Sequence, residues 1–149
     1  MRRIAALLAV SVGLVAAVTA APASATRPEM KVVHKINRIR HAYGLHRLRP
    51  SLSLFWSAKV YSHRMMSSDY FGHMSRIPVA SRWRAAGETI EWHGGWRLRP
   101  RMAVRLWMHS PPHRAVLLSS RFTRIGVGHA RGRYGRRMAT MWVAHVGRH

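Results

Sequence analysis

The chain has 149 residues, with 26 lysines and arginines against four acids, a formal net charge of +22 and no cysteine. That length suits one domain, which buries roughly two-thirds of its surface on folding. The lack of cysteine excludes a disulfide scaffold and any cysteine-ligated zinc site. The charge favours anionic surroundings: nucleic acid, lipid head groups or acidic wall polymers.

Residues 1–25 read as a secretory signal. Arg2 and Arg3 form its charged start, Ile4 to Ala20 its apolar centre, and Ala23-Ser24-Ala25 an A-x-A cleavage site. The apolar run is short, ends in small residues and is followed by no second one, so no transmembrane anchor is expected after cleavage. Residues 26–149 then remain as a single domain with a net charge of +20, since the signal carries two arginines and no acid.

Along that domain, Met30, Val33, Ile36, Ile39 and Tyr43 recur at helical spacing as far as Gly44. Leu45 to Pro50 is a connector. Ser51 or Ser53 caps a second helix with Leu54, Ala58, Tyr61 and Met65 on one face. A turn from Asp69 to Gly72 leads to His73, and Pro78 opens a short third helix, Val79 to Ala86, closed by Gly87. Glu88 to His93 alternates as a strand and stops at Gly94-Gly95. A helix from Pro100 to Met108 turns Val104, Trp107 and Met108 inward. The next helix runs to about Leu118, with Ser110 as its cap and Pro111 and Pro112 where a missing N–H costs nothing. Ile125–Ala130 and Met138–Val146 read as strands joined by a turn over Arg131 to Tyr134 and Gly135. Helices first and strands later argue an α+β domain, an antiparallel sheet covered by helices.

The run Trp107-Met108-His109-Ser110-Pro111-Pro112-His113 carries the chemistry. His113 falls near the third helical position, where the positive end of the helix dipole disfavours imidazolium and keeps the ring neutral, a hydrogen-bond acceptor or metal ligand. Ser110 beside it is a poor nucleophile: a capping serine spends its oxygen on the backbone, and neither a G-x-S-x-G elbow nor an orienting acid accompanies it. Glu91 lies three residues from Glu88, which on a strand means the opposite face. His34, His41, His46, His63, His93, His129, His145 and His149 show no ligand spacing and read mostly as solvated. No helix-turn-helix, zinc-finger or RNA-binding aromatic motif accompanies the charge, so sequence-specific nucleic-acid binding is not expected.

Four separated pieces share one pattern: Ile36-Asn37-Arg38-Ile39-Arg40 with Gly44-Leu45, Phe71-Gly72-His73, Gly87-Glu88-Thr89-Ile90, and Trp107 to Leu118 followed by Ile125-Gly126-Val127-Gly128. In this order they resemble the CAP superfamily of cysteine-rich secretory proteins, antigen 5 and plant pathogenesis-related proteins, and within it the bacterial SCP-like extracellular branch. The resemblance implies an α-β-α sandwich with a central antiparallel sheet flanked by helices. It also implies a cleft of two histidines and two glutamates, in which the histidines of several members bind a divalent metal. By motif, His73 and Glu88 match the first histidine and glutamate, and His113 matches the second histidine. Ser110 stands where the second glutamate would be, which removes one carboxylate.

The resemblance therefore implies a secreted, extracellular protein with a cleft of His73, Glu88, Ser110 and His113. His73 and His113 are its candidate ligands for zinc or another divalent metal. The leading expectation is a non-catalytic binder of an envelope component, a lipid or an anionic wall polymer. Trp83, Trp92, Trp96, Trp107 and Met102 are candidate groove residues for a lipid. Two alternatives use the same residues or none of them: a metal-dependent hydrolase, and a cationic protein acting on membranes or nucleic acid by charge alone. A fourth reading makes Glu88 and the histidines a buried hydrogen-bonded cluster that orders the sheet.

Overall fold

A computed structural model describes residues 27–78 and 83–149. The signal read at residues 1–25 lies outside those residues, as do residues 79–82 of the expected third helix. The elements are α1 (Arg27–Ala42), β1 (Arg49–Pro50), α2 (Leu52–Ser67), β2 (Ala85–Gly94), α3 (Pro100–His109), α4 (Pro111–Leu117), β3 (Arg124–Tyr134) and β4 (Arg137–Arg148). Helix α1 buries Val32, Val33 and Ile36 on one stripe. It ends where Gly44 takes a positive φ, so that Leu45 N–H reaches the Arg40 carbonyl and Gly44 N–H reaches that of His41.

The strands form one four-stranded sheet in the order β1-β3-β4-β2. The β3–β4 and β4–β2 pairs are antiparallel, and β1 joins β3 in parallel. The sheet is thus mixed rather than wholly antiparallel. The connector contains this extra strand because Asn37 clamps it: its side chain accepts from Leu48 N–H and donates to the Leu48 carbonyl. Pro50 is tolerated there because the strand lies at an edge.

Three further expectations need correction. Ala85, Ala86 and Gly87 belong to β2, not to a helix, since each pairs with β4. The β3–β4 turn shrinks to Gly135-Arg136, and the strands continue through Arg131 to Tyr134. Ser110 does sit at the start of α4, but its hydroxyl makes no capping hydrogen bond; Arg114 N–H bonds its backbone carbonyl instead.

Each sheet face supports its own core. On one face Val127, Trp142, Ala144 and Val146 pack with Val32, Val33 and Ile36 of α1 and with Ala103, Val104 and Trp107 of α3. On the other, Ile90, Met141 and Val143 meet Ala58, Tyr61 and Met65 of α2. Helix α2 lies directly on β3 because two glycines face it. A Cβ on Gly126 would fall 2.0 Å from the Phe55 backbone nitrogen, and one on Gly128 would fall 2.3 Å from that of Lys59. The layers are therefore α1/α3, sheet, α2, an α-β-α sandwich.

Candidate functional site

Glu88 points from β2 to the α2 face of the sheet, directly across the ladder from His145 of β4. Its Oε2 accepts from His145 Nε2 at 2.9 Å, and its Oε1 accepts from Met74 N–H at 2.9 Å and from His73 Nδ1 at 2.8 Å. The carboxylate side chain is only 5% exposed. Burial pushes its pKa up, but the hydrogen bonds from His145, Met74 N–H and His73 outweigh this and hold it below the usual carboxylate range.

His73 follows α2 on a loop held by the Tyr61 hydroxyl, which donates to the Gly72 carbonyl. Because Nδ1 faces Glu88, Nε2 is left pointing away, and it meets His113 Nε2 at 3.3 Å. His113 arrives on α4, which Arg40 pins from beneath. The buried Arg40 guanidinium donates to the carbonyls of Leu117 and Ser119 at the end of that helix. The His113 pKa is lowered, first by burial and then by the neighbouring His73, with Glu88 opposing. A neutral ring follows at neutral pH, with a lone pair on one nitrogen.

Polarity grades inward. His73 is half exposed, Glu88 nearly closed off, and His145 fully buried. Beside His73 opens a cavity of about 500 Å³ whose rim carries Arg64 and Arg76. His73, Glu88 and His113 thus come together, whereas Ser110 joins them by no hydrogen bond. His145 is the member that sequence reasoning missed. It shows no ligand spacing in an apolar run, and its partner becomes visible only through the β2–β4 register. His93 and His129 are likewise paired rather than solvated, with Glu91 and Glu29 respectively. The tryptophans occupy separate settings: Trp107 in the core, Trp92 against Tyr134, Trp96 beneath Arg131 and Trp83 against His149.

The geometry bears on a metal in two ways. Two imidazole nitrogens bound tetrahedrally at 2.0–2.1 Å lie roughly 3.3–3.4 Å apart, which the His73–His113 pair matches. Glu88, with both oxygens already accepting, is not a third ligand; it fixes the His73 tautomer with Nε2 bare. Among the described residues no group of three or more His, Cys, Asp or Glu is arranged around a metal position. Among the described residues, His73 and His113 are the pair whose ring nitrogens could hold such an ion.

Residues 33–146 match the cysteine-rich secretory protein family, CAP. Over 120 residues the chain is 33% identical to YkwD of Bacillus subtilis (strain 168), covering 74% of this chain and 46% of that protein. It therefore spans about half the length of the curated relative it matches. Its fold resembles an SCP-domain extracellular protein from Bacillus anthracis str. Ames, with a TM-score of 0.67 and 23% identity over 82% of this chain and 40% of that one. It also resembles an outer surface protein of Borrelia burgdorferi, with a TM-score of 0.66 and 18% identity over 83% and 95%. No helix among the described residues is long and apolar enough to cross a membrane. With the family match spanning most of the chain and the sandwich fold shared with these proteins, this chain belongs to the CAP family of cysteine-rich secretory proteins, although it contains no cysteine itself.

Proposed function

We propose that the protein is exported and acts outside the cell as a non-catalytic envelope-binding protein. Its cleft around His73, Glu88 and His113 takes an anionic group of a wall polymer, with a divalent metal held between the two histidines. The observation that carries this reading is the 3.3 Å approach of the His73 and His113 Nε2 atoms, with the His73 ring oriented by a buried carboxylate. The signal-like residues 1–25 support export, and Arg64 and Arg76 at the adjoining cavity support an anionic ligand. The dispersal of the tryptophans argues for a polymer over a lipid.

When bound, zinc or a similar ion supplies Lewis acidity and an anchoring charge for an anionic oxygen. The residues around it are poorly suited to hydrolysis. Glu88 accepts on both oxygens and its pKa is held low, so it is a weak proton acceptor, and Ser110 offers no carboxylate in its place.

Elemental analysis of the purified mature protein, after exposure to zinc, tests the site beside a His73→Ala/His113→Ala double variant. About one ion per chain, absent from the variant, is the expected result. No ion in either protein overturns the metal site, and hydrolytic turnover abolished by chelation overturns the non-catalytic reading.

A further inference from the structure

The outer surface of the α1/α3 layer, across the sheet from the cleft, carries a second concave feature. A groove of about 480 Å³ runs between α1 and the start of α3, lined by Lys31, His34, Lys35, Arg38 and Arg101 with Pro100. The α1 residues fall at i, i+3, i+4 and i+7, the helix face opposite the buried Val32, Val33 and Ile36 stripe. Beyond the ridge of His34 and Arg38 lies a neighbouring groove of about 340 Å³, which brings in Arg47 and Arg49. All seven side chains are exposed.

Among the described residues no acid neutralises them. Of its four acids, Glu29, Glu88 and Glu91 are enclosed and paired with histidines, and Asp69 accepts from Gly135 N–H. Among the described residues no lysine or arginine lies within ion-pair distance of a carboxylate. The row of like charges over about 10 Å of helix is repulsive in the free protein and is relieved by a polyanion that releases counterions.

From this uncompensated double groove we infer a polyanion site separate from the cleft, shaped for a flexible, base-free phosphate polymer. No phenylalanine, tyrosine or tryptophan lines either groove, so His34 is the only aromatic ring there and no large aromatic platform stacks successive nucleic-acid bases. None of the exposed large apolar side chains lines either groove, so the surface has no anchor for a lipid bilayer. Met30, Val33 and Leu48 form the floor of the second groove but are not exposed, so what the surface presents outward is chiefly concavity and cationic charge. A thin chain of phosphates fits both.

The test measures binding of inorganic polyphosphate across a salt series, with chelator present to keep the cleft free of metal. Three proteins are compared with wild type: Lys31→Gln/Lys35→Gln/Arg38→Gln/Arg101→Gln, a control that neutralises exposed Arg121, Arg133, Arg136 and Arg137 to Gln, and His73→Ala/His113→Ala. The groove variant loses affinity by about tenfold or more, and its log K against log salt slope flattens by about 3, as expected from losing four phosphate contacts. The control and the cleft variant stay within about threefold of wild type. Equal losses in groove and control variants overturn the site in favour of diffuse charge. A loss confined to the cleft variant moves the polymer to the cleft. Tighter binding of single-stranded DNA or of phosphatidylglycerol vesicles than of polyphosphate overturns the base-free assignment.

Discussion

Strand β2 carries two glutamates three residues apart, each against a histidine, and their surroundings drive them in opposite directions. Glu88, on the α2 face, receives three donors and keeps its charge, with a pKa below the usual range. Glu91, on the α1/α3 face, has one histidine at 3.2 Å and a buried Oε2 without a partner. Burial there pushes its pKa up to about 8. The difference teaches that residue types do not make the site. Donor count and an opening to solvent do: the first carboxylate is an ionised support presenting His73 outward, and the second is a sealed neutral acid.

The comparison breaks most severely at Glu88. Glu88→Ala leaves the fully buried His145 and the Met74 N–H without an acceptor, at an expected cost of about 3–5 kcal/mol in urea unfolding. Glu88→Gln, which keeps the volume, lowers zinc affinity by about 10–100-fold by loosening the His73 tautomer. Gly126→Ala comes next. Its Cβ must push back the α2 backbone, costing about 1–3 kcal/mol or more, and the imidazole NMR signals of His145 and His73 shift while that of His93 holds.

Acid–base behaviour sharpens the contrast. Glu88, with its folded pKa depressed, stabilises the fold above its unfolded pKa of about 4.5, and that contribution is lost as pH falls through its folded pKa. Glu91 behaves in the opposite sense: the folded state holds its proton to about pH 8 while the unfolded chain releases it near 4.5, so stability falls as pH rises. His93, lowered by burial, gives up its proton on folding below about pH 6.5 and offsets Glu91 in the lower part of that range. Between about pH 6.5 and 8 the Glu91 decline is unopposed by His93 and amounts to on the order of 2 kcal/mol at 1.36 kcal/mol per pH unit. Glu91→Gln removes this decline in unfolding measured across pH, and persistence of the slope in that variant counts against a neutral buried acid. The smallest effect is at His113. Its NMR titration midpoint lies below the usual histidine value and moves upward in His73→Ala, which removes the neighbouring ring that lowers it and opens His113 to solvent.

Much of the site was legible because it rests on local motifs. His73 after Phe71-Gly72, Glu88 after Gly87 and His113 at a proline-opened helix each announce themselves within a few residues. His145 does not. It sits in an apolar alternating strand, and its meaning depends on pairing with Glu88 across 57 residues. Trp83-Arg84-Ala85-Ala86 misled for a related reason: alanines carry helix propensity, and only the β4 partner strand converts them to extended backbone. Ser110 misled because a preferred capping residue occupies the capping position without using its hydroxyl.

By itself the sequence determined the four helices α1 to α4 and the closing strands β3 and β4, the apolar stripes of α1 and α2, the cationic surface and three of the clustered residues, since each follows from periodicity, composition or a short motif. Only the tertiary structure decided the addition of β1, the choice of His145 over seven other unassigned histidines, the opposite fates of Glu88 and Glu91, and the meeting of Lys31, Lys35 and Arg38 with Arg101. Register, desolvation and groove shape are properties of surfaces brought together from distant parts of the chain. No local pattern encodes how many donors will surround a buried oxygen.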